Sequence, residues 1–340
     1  MNMQKLMLGV FRRLPAAAIR RMAGPPQEVD GFTLDPYIQL LTRQEGPDLS
    51  QLPVAEARTI ASEMMRTLNA PRRRGVVVSD ERLPGPAGPM AVRHYFANGV
   101  TRPSPLILFF HQGGMVLLDL DSCDTFCTIL AQTCRAHVIS LDYRLAPEHV
   151  FPAALEDAEA LWDYVIREAE TLGVDVARIG VCGDSAGGLM TASLCQQLRD
   201  KGAKVQPKAQ LMVYPWVSSK PETSGSAVSC ADAFPLNQTV MQWFMGQVFP
   251  KADMLEHPLA NPLHNELRGL PPAIVATAGF DPLRDQGKAY AEALKKAGVD
   301  ARYHCFGDLS HSFLAFGQVS RKATAASEQL AREFATLLEA

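Results

Sequence analysis

From residue 76 onward, short apolar runs recur at regular intervals. Val76 to Ser79 and Ala91 to Phe96 read as strands joined by a Pro/Gly-rich turn. Leu106 to Phe110, Val138 to Asp142, Ile179 to Cys182, Gln210 to Tyr214, Ala273 to Ala278 and Arg302 to Phe306 follow. Most show no alternation, as expected of strands buried on both faces of a sheet. Between them the period changes. Ala153 to Leu172 sets Leu155, Ala158, Leu161, Trp162, Val165 and Ile166 on one stripe with Glu156, Glu159 and Glu168 around it. Asp285 to Ala297 and Ala323 to Leu338 repeat the pattern. This rhythm predicts an α/β fold, a parallel sheet wrapped by helices on both sides through right-handed crossovers.

Two regions fall outside the rhythm. Residues 1–70 are helical in pattern and precede the first strand, and residues 217–265 interrupt the sixth and seventh strand candidates with a Met- and aromatic-rich segment, MQWFMGQVF. Both are expected to build a cap over the sheet. The chain then divides into an N-terminal cap segment (1–70), a first core part (71–216), an inserted cap segment (217–265) and a second core part (266–340). The amino terminus is basic and acid-free, but its apolar run Leu6 to Phe11 is shorter than a secretory h-region and is broken by Arg12 and Arg13. A capping or mobile helix is the expectation there, with a membrane-surface helix as the alternative.

Composition narrows the classes. A chain of 340 residues has room for roughly two domains, or one large domain with insertions. With 47% apolar and 20% charged residues it is no disordered chain. Its 33 basic against 36 acidic side chains, net charge -3, lack the basic footprint of a nucleic-acid binder. No stretch approaches the roughly 18 apolar residues of a membrane span, so stable membrane insertion is not expected. Seven cysteines, an odd number without small-scaffold spacing, argue against a disulfide framework and for a reducing, cytoplasmic setting. Cys123, Cys127 and Cys134 recur at helical spacing, yet no histidine or acid completes a metal site at motif spacing; they read as a buried helix face. No metal or other cofactor is expected.

The chemistry concentrates in three places. Gly183-Asp184-Ser185-Ala186-Gly187-Gly188 follows the strand Ile179 to Cys182 and precedes a helical run, Leu189 to Leu198. This is a G-x-S-x-G nucleophile elbow in its strand–turn–helix context. The glycines make room for a serine in a strained backbone conformation, and the Ala186 amide is expected to face a developing oxyanion. His111-Gln112-Gly113-Gly114-Met115 follows the strand ending at Phe110. Its consecutive glycines allow backbone N–H groups to turn into a concavity, supplying Gly113 and Gly114 as oxyanion donors. His111 itself reads as a loop-ordering hydrogen-bonder.

A serine nucleophile needs a base, and the base an acid to hold its tautomer. Asp281, in GFDPLRDQG, and His311, in GDLSHSF, both lie just beyond strands, where open α/β sheets place their sites. Among the rivals, Asp285 falls inside the following helix and Asp308 is close to His311 in sequence, a second choice left open. His304 is mid-strand, and His257 and His264 belong to the insertion.

The segments HQGGM, DYRLAPEHVFPAALED, GDSAGG and LPPAIVATAGFDPLRDQG, joined by the His311 loop, resemble the hormone-sensitive-lipase-like carboxylesterases, bacterial family IV, over about residues 105–315. The resemblance implies an α/β-hydrolase fold with a mostly parallel eight-stranded sheet, flanking helices and a helical cap. It implies a triad of Ser185, Asp281 and His311 with oxyanion donors Gly113, Gly114 and Ala186. Three departures stand out: Gln112 in place of the first glycine of HGGG, Gln286 in place of an acid, and Ser312 in place of the glycine after the histidine.

The function expected is a serine carboxylic ester hydrolase acting on small esters with short to medium acyl chains through an acyl-enzyme. An amidase using the same triad and a non-catalytic small-molecule receptor are the alternatives. Met115, Trp216, Met241, Trp243, Phe244 and Met245 are candidates to line an acyl pocket, ordinary cap core being the alternative for each. A homodimer is expected only because it is common in the resembled family.

Overall fold

The computed structural model describes residues 8–9, 12–43 and 47–339. Most of the apolar run Leu6 to Phe11, with its membrane-surface alternative, lies outside them. Ahead of the sheet come helices α1 (Ala16–Ala23), α2 (Pro36–Thr42) and α3 (Val54–Leu68), with a two-residue hairpin, Glu28–Val29 and Phe32–Thr33, between the first two.

The main sheet has eight strands: β1 (Val76–Leu83), β2 (Met90–Ala97), β3 (Ser104–Phe110), β4 (His137–Asp142), β5 (Val174–Asp184), β6 (Ala209–Val213), β7 (Ala273–Phe280) and β8 (Ala301–Ser310). Their spatial order is β1-β2-β4-β3-β5-β6-β7-β8. β1–β2 and β2–β4 pair antiparallel, and every other neighbour pairs parallel. Burial explains which strands were readable. Every residue of β3 and β7 is buried, so their sequences are continuous apolar runs. The edge strand β1 continues through Asp80, Glu81 and Arg82, which face solvent, so its apolar signal stops at Ser79 while its pairing with β2 runs on to Leu83.

Helices α4 (Asp124–Thr133) and α9 (Arg321–Glu339) pack together on one face of the sheet; α5 (Ala153–Arg167), α6 (Ala186–Asp200) and α8 (Arg284–Lys296) cover the other. On α9, Ala323, Ala326, Leu330, Phe334 and Leu337 form the buried stripe. Phe334 and Leu338 press so closely on the sheet that a Cβ at Gly180 would meet them at 2.7 and 2.8 Å. The expected single helix Ala153 to Leu172 is instead two: α5 ends at Arg167, and a separate turn, Ala169–Leu172, stops at Gly173 in the left-handed conformation. The insertion contains α7 (Gln238–Val248), which touches the short 3-10 turn Leu49–Gln51 of the N-terminal segment.

His94 on β2 and His137 on β4 are both buried, with His94 Nδ1 2.8 Å from His137 Nε2. Glu81 Oε2 lies 3.0 Å from His94 Nε2, Phe96 stacks on His137, and Arg102 sits over Phe96. Burial pushes His137 down to about 2 and lowers His94 as well. An unfolded histidine takes up a proton below about pH 6.5, whereas the folded pair resists it, so stability is lost as pH falls below that value. Melting temperatures measured from pH 7.5 to 5 should therefore drop more steeply for the native chain than for His137→Leu. Equal slopes would refute this account.

Candidate active site

Ser185 sits between β5 and α6 with φ 55 and ψ -117, a conformation that costs a non-glycine residue of order 1–3 kcal/mol. Its neighbours explain how the chain reaches it. A Cβ on Gly183 would lie 2.2 Å from the Gly187 carbonyl oxygen, and one on Gly187 would lie 1.9 Å from that of Phe110. Both glycines are required by close backbone approach. The Ser185 N–H donates to Val213 O at 2.9 Å, tying the turn to β6.

Asp281 directly follows β7 and His311 directly follows β8. His311 Nε2 is 2.9 Å from Ser185 Oγ, and His311 Nδ1 is 2.7 Å from Asp281 Oδ2. The other carboxylate oxygen accepts the Leu283 N–H at 2.8 Å. All three side chains are buried, Asp281 completely. The arrangement can deprotonate the serine hydroxyl: the carboxylate holds the Nδ1 proton and leaves Nε2 free to accept.

Beside them runs the loop after β3. His111 Nδ1 lies 2.6 Å from Gln112 O, its carbonyl accepts from Tyr143 Oη at 2.7 Å, and the two rings stack at 4.2 Å. Burial lowers the His111 pKa and keeps the ring neutral, which suits a loop-ordering residue. Gly113 and Gly114 both take positive φ, 121 and 63. The Phe244 ring from α7 fills the space where a Gly114 Cβ would sit, at 2.3 Å. Ala186, at the start of α6, is fully buried.

These groups open onto a cavity of about 520 Å³. Its walls come from α2 and α3 (Leu41, Met64, Met65, Leu68), from the insertion (Phe234, Met241, Phe244) and from Trp216. Met115 is different. It is buried with φ 58, its carbonyl accepts the Ala146 N–H, and it does not line the cavity. Trp243 and Met245 also point elsewhere and remain only half-buried.

The rivals have other partners. Asp285 accepts the Ser226 N–H at 2.8 Å, His304 meets Glu333 at 2.8 Å, and Asp308 pairs with Lys322. His264 approaches Ser218 Oγ at 3.1 Å, and His257 accepts the Leu259 N–H.

Sequence reasoning passed over several supporting groups. Asp184, to which the elbow motif assigns no role, is a fully buried carboxyl that accepts from Tyr214 Oη at 2.8 Å; burial pushes its pKa up to about 6. The same Tyr214 ring packs 4.7 Å from His311. Gln286, singled out in the sequence as a departure but given no role there, is buried too: its oxygen accepts the Val217 and Ser218 N–H groups, and its amide donates to Glu222. From α3, Arg58 donates to Val116 O and Ala146 O, each at 2.8 Å, and pairs with Glu148.

A family model described as alpha/beta hydrolase fold matches residues 107–315. The chain is 37% identical to a carboxylic ester hydrolase, LipN, of Mycobacterium tuberculosis, over 93% of this chain and 87% of that protein. It superposes on an esterase of Pyrobaculum calidifontis with a TM-score of 0.83 at 34% identity, covering 90% of this chain and 100% of that one. An α/β-hydrolase enzyme from the metagenome of Lake Arreo gives a TM-score of 0.84 at 35% identity, covering 89% and 96%.

Proposed function

We propose, because this chain belongs to the α/β-hydrolase fold family and is a carboxylic ester hydrolase, that it acts through Ser185, His311 and Asp281 on esters with short to medium acyl chains. The observation that carries this reading is the continuous hydrogen-bonded chain Ser185 Oγ–His311–Asp281, 2.9 and 2.7 Å, at the wall of a mostly apolar cavity.

In the mechanism, His311 Nε2 takes the Ser185 proton as Oγ forms a bond to the ester carbonyl carbon. The carbonyl electron pair moves onto oxygen, where N–H groups of Gly113, Gly114 and Ala186 stabilise the charge. On collapse the bond to the alkoxy oxygen breaks, and His311 gives its proton to the departing alcohol. Water, losing a proton to the same Nε2, then attacks the acyl-enzyme and releases the acid with Ser185 restored. Asp281 stays ionised and orients the ring throughout.

The cavity supports the chain-length reading. Its volume lies within the range usual for small-molecule sites, and its wall carries Phe234, Met241 and Phe244 from the insertion over the serine. With p-nitrophenyl esters from acetate to palmitate, kcat/KM should peak at short or medium chains and fall sharply toward palmitate. Efficient turnover of emulsified long-chain triglyceride with interfacial activation would overturn the preference. No turnover on any ester by folded protein would return the amidase or receptor readings.

A further inference from the structure

Gln112 and Ser312 are two of the three positions at which the chain departs from the motifs it resembles, and they meet in space. Ser312 Oγ lies 2.5 Å from Gln112 Oε1. Gln112 stands immediately before Gly113, and Ser312 immediately after His311. Both are buried, 2% and 5% exposed, and both line the cavity that holds Ser185. An amide oxygen can only accept, so the serine hydroxyl is the donor, and the bond sets which way the amide faces.

The amide nitrogen is thereby turned toward Met65, whose sulfur, 4.0 Å away, is a weak acceptor. A buried NH2 group without an oxygen partner is unfavourable unless a ligand supplies one. Most other polar side chains of the wall are already engaged. Ser185 and His311 bond to each other, and the Trp216 indole donates to Ser218 O. Asp48 accepts from Ser50. Asn237, at the start of α7, caps Val240 through its oxygen and keeps a free amide nitrogen, but it is only half-buried. Among the described lining residues, Gln112 is the buried side-chain donor facing no oxygen of the chain.

We propose that Gln112 is a specificity-determining residue whose amide donates to a second oxygen of the substrate. The cavity then favours esters carrying a carbonyl, hydroxyl or ether oxygen within a few bonds of the scissile carbonyl over plain alkanoates of equal length. Ser312 acts through Gln112, as a positioning residue that holds the amide in its donating orientation. The proposal rests on the hydrolase reading above and adds the substrate class to it.

The test compares p-nitrophenyl pentanoate with the equally long 3-methoxypropanoate and 4-oxopentanoate esters. Each kcat/KM is divided by the rate constant of the same ester with hydroxide, which removes intrinsic reactivity. The native enzyme should favour at least one oxygenated ester by about tenfold, the scale of one net hydrogen bond. Gln112→Met, which keeps length and loses the donor, should bring the corrected ratio to near one. Ser312→Ala should raise KM for the oxygenated ester more than it changes kcat. The double change Gln112→Gly/Ser312→Gly, which removes both buried polar groups together, should also show a ratio near one and serves if Gln112→Met does not fold.

A corrected ratio near one in the native enzyme, or a ratio unchanged in Gln112→Met, overturns the proposal. Equal losses on both esters in that variant leave the ratio unchanged and count against it. Absence of turnover on every ester by the native enzyme overturns the hydrolase reading, and this proposal with it.

Discussion

Ser185→Ala is expected to lower kcat by about 10⁶ on any ester the enzyme turns over, the loss seen when a serine nucleophile is removed from a working triad. The fold should survive. The substitution deletes one hydroxyl whose partner is His311 Nε2, and the backbone bonds that hold the turn, Ser185 N–H to Val213 O and Trp216 N–H to Ser185 O, do not depend on it. Alanine must still adopt φ near 55, as serine does, so strain is not added. The measurement is single-turnover release of p-nitrophenol beside a melting curve. Retention of more than a hundredth of the native rate by a folded variant would show that another group attacks the ester.

Asp281→Asn should cost about 10⁴ in kcat with little change in KM. The reason is the tautomer. The carboxylate has one oxygen on the Leu283 N–H and the other on His311 Nδ1, so it accepts from both. An asparagine that keeps its oxygen toward Leu283 turns an NH2 group to Nδ1. The ring must then carry its proton on Nε2, which points it at Ser185 Oγ and removes the acceptor the serine needs. Asp281 is fully buried, so bulk solvent does not take over its role. The check is the pH profile of kcat/KM: the residual rate should rise with hydroxide concentration, as hydroxide takes over the deprotonation. A rate within tenfold of native would move the orienting role to another acid, with Asp308 the first to examine.

The sequence exposed those parts of the fold whose burial is uniform. β3 and β7, buried along their whole length, are unbroken apolar runs, and their positions could be read to within a few residues. Polar stretches hid the rest. β8 continues through Gly307 and Asp308 to Ser310 across a register break after Phe306, and no periodicity marks that extension. The break after Arg167 falls in a stretch whose helical pattern runs on without interruption, and only the left-handed Gly173 beyond it marks an end.

The site divides in the same way. Ser185, Asp281 and His311 could be named because a strained turn demands glycines around it and because strand ends carry the functional loops. The cavity wall could not. Met64, Met65 and Leu68 reach it from α3, a helix whose docking depends on contacts far away in sequence. Met115, adjacent to the glycines, turns away because its positive φ redirects the chain. Asp184 carried no signal beyond its place in the elbow and Gln286 only that of a departure from the motif; their buried partners reveal them as supports.

Arg58 ties these levels together. One guanidinium on a helix that precedes the sheet grips two carbonyls, Val116 O just after the glycine loop and Ala146 O farther along, while pairing with Glu148. In modular terms the helices ahead of the sheet are no interchangeable cover. A chimera joining this core to a foreign leader would inherit Ser185, His311 and Asp281 intact, yet lose the clamp on the loop proposed to receive the oxyanion. Compatibility between the two halves of such a graft is therefore written at position 58, outside every motif by which the catalytic core is found.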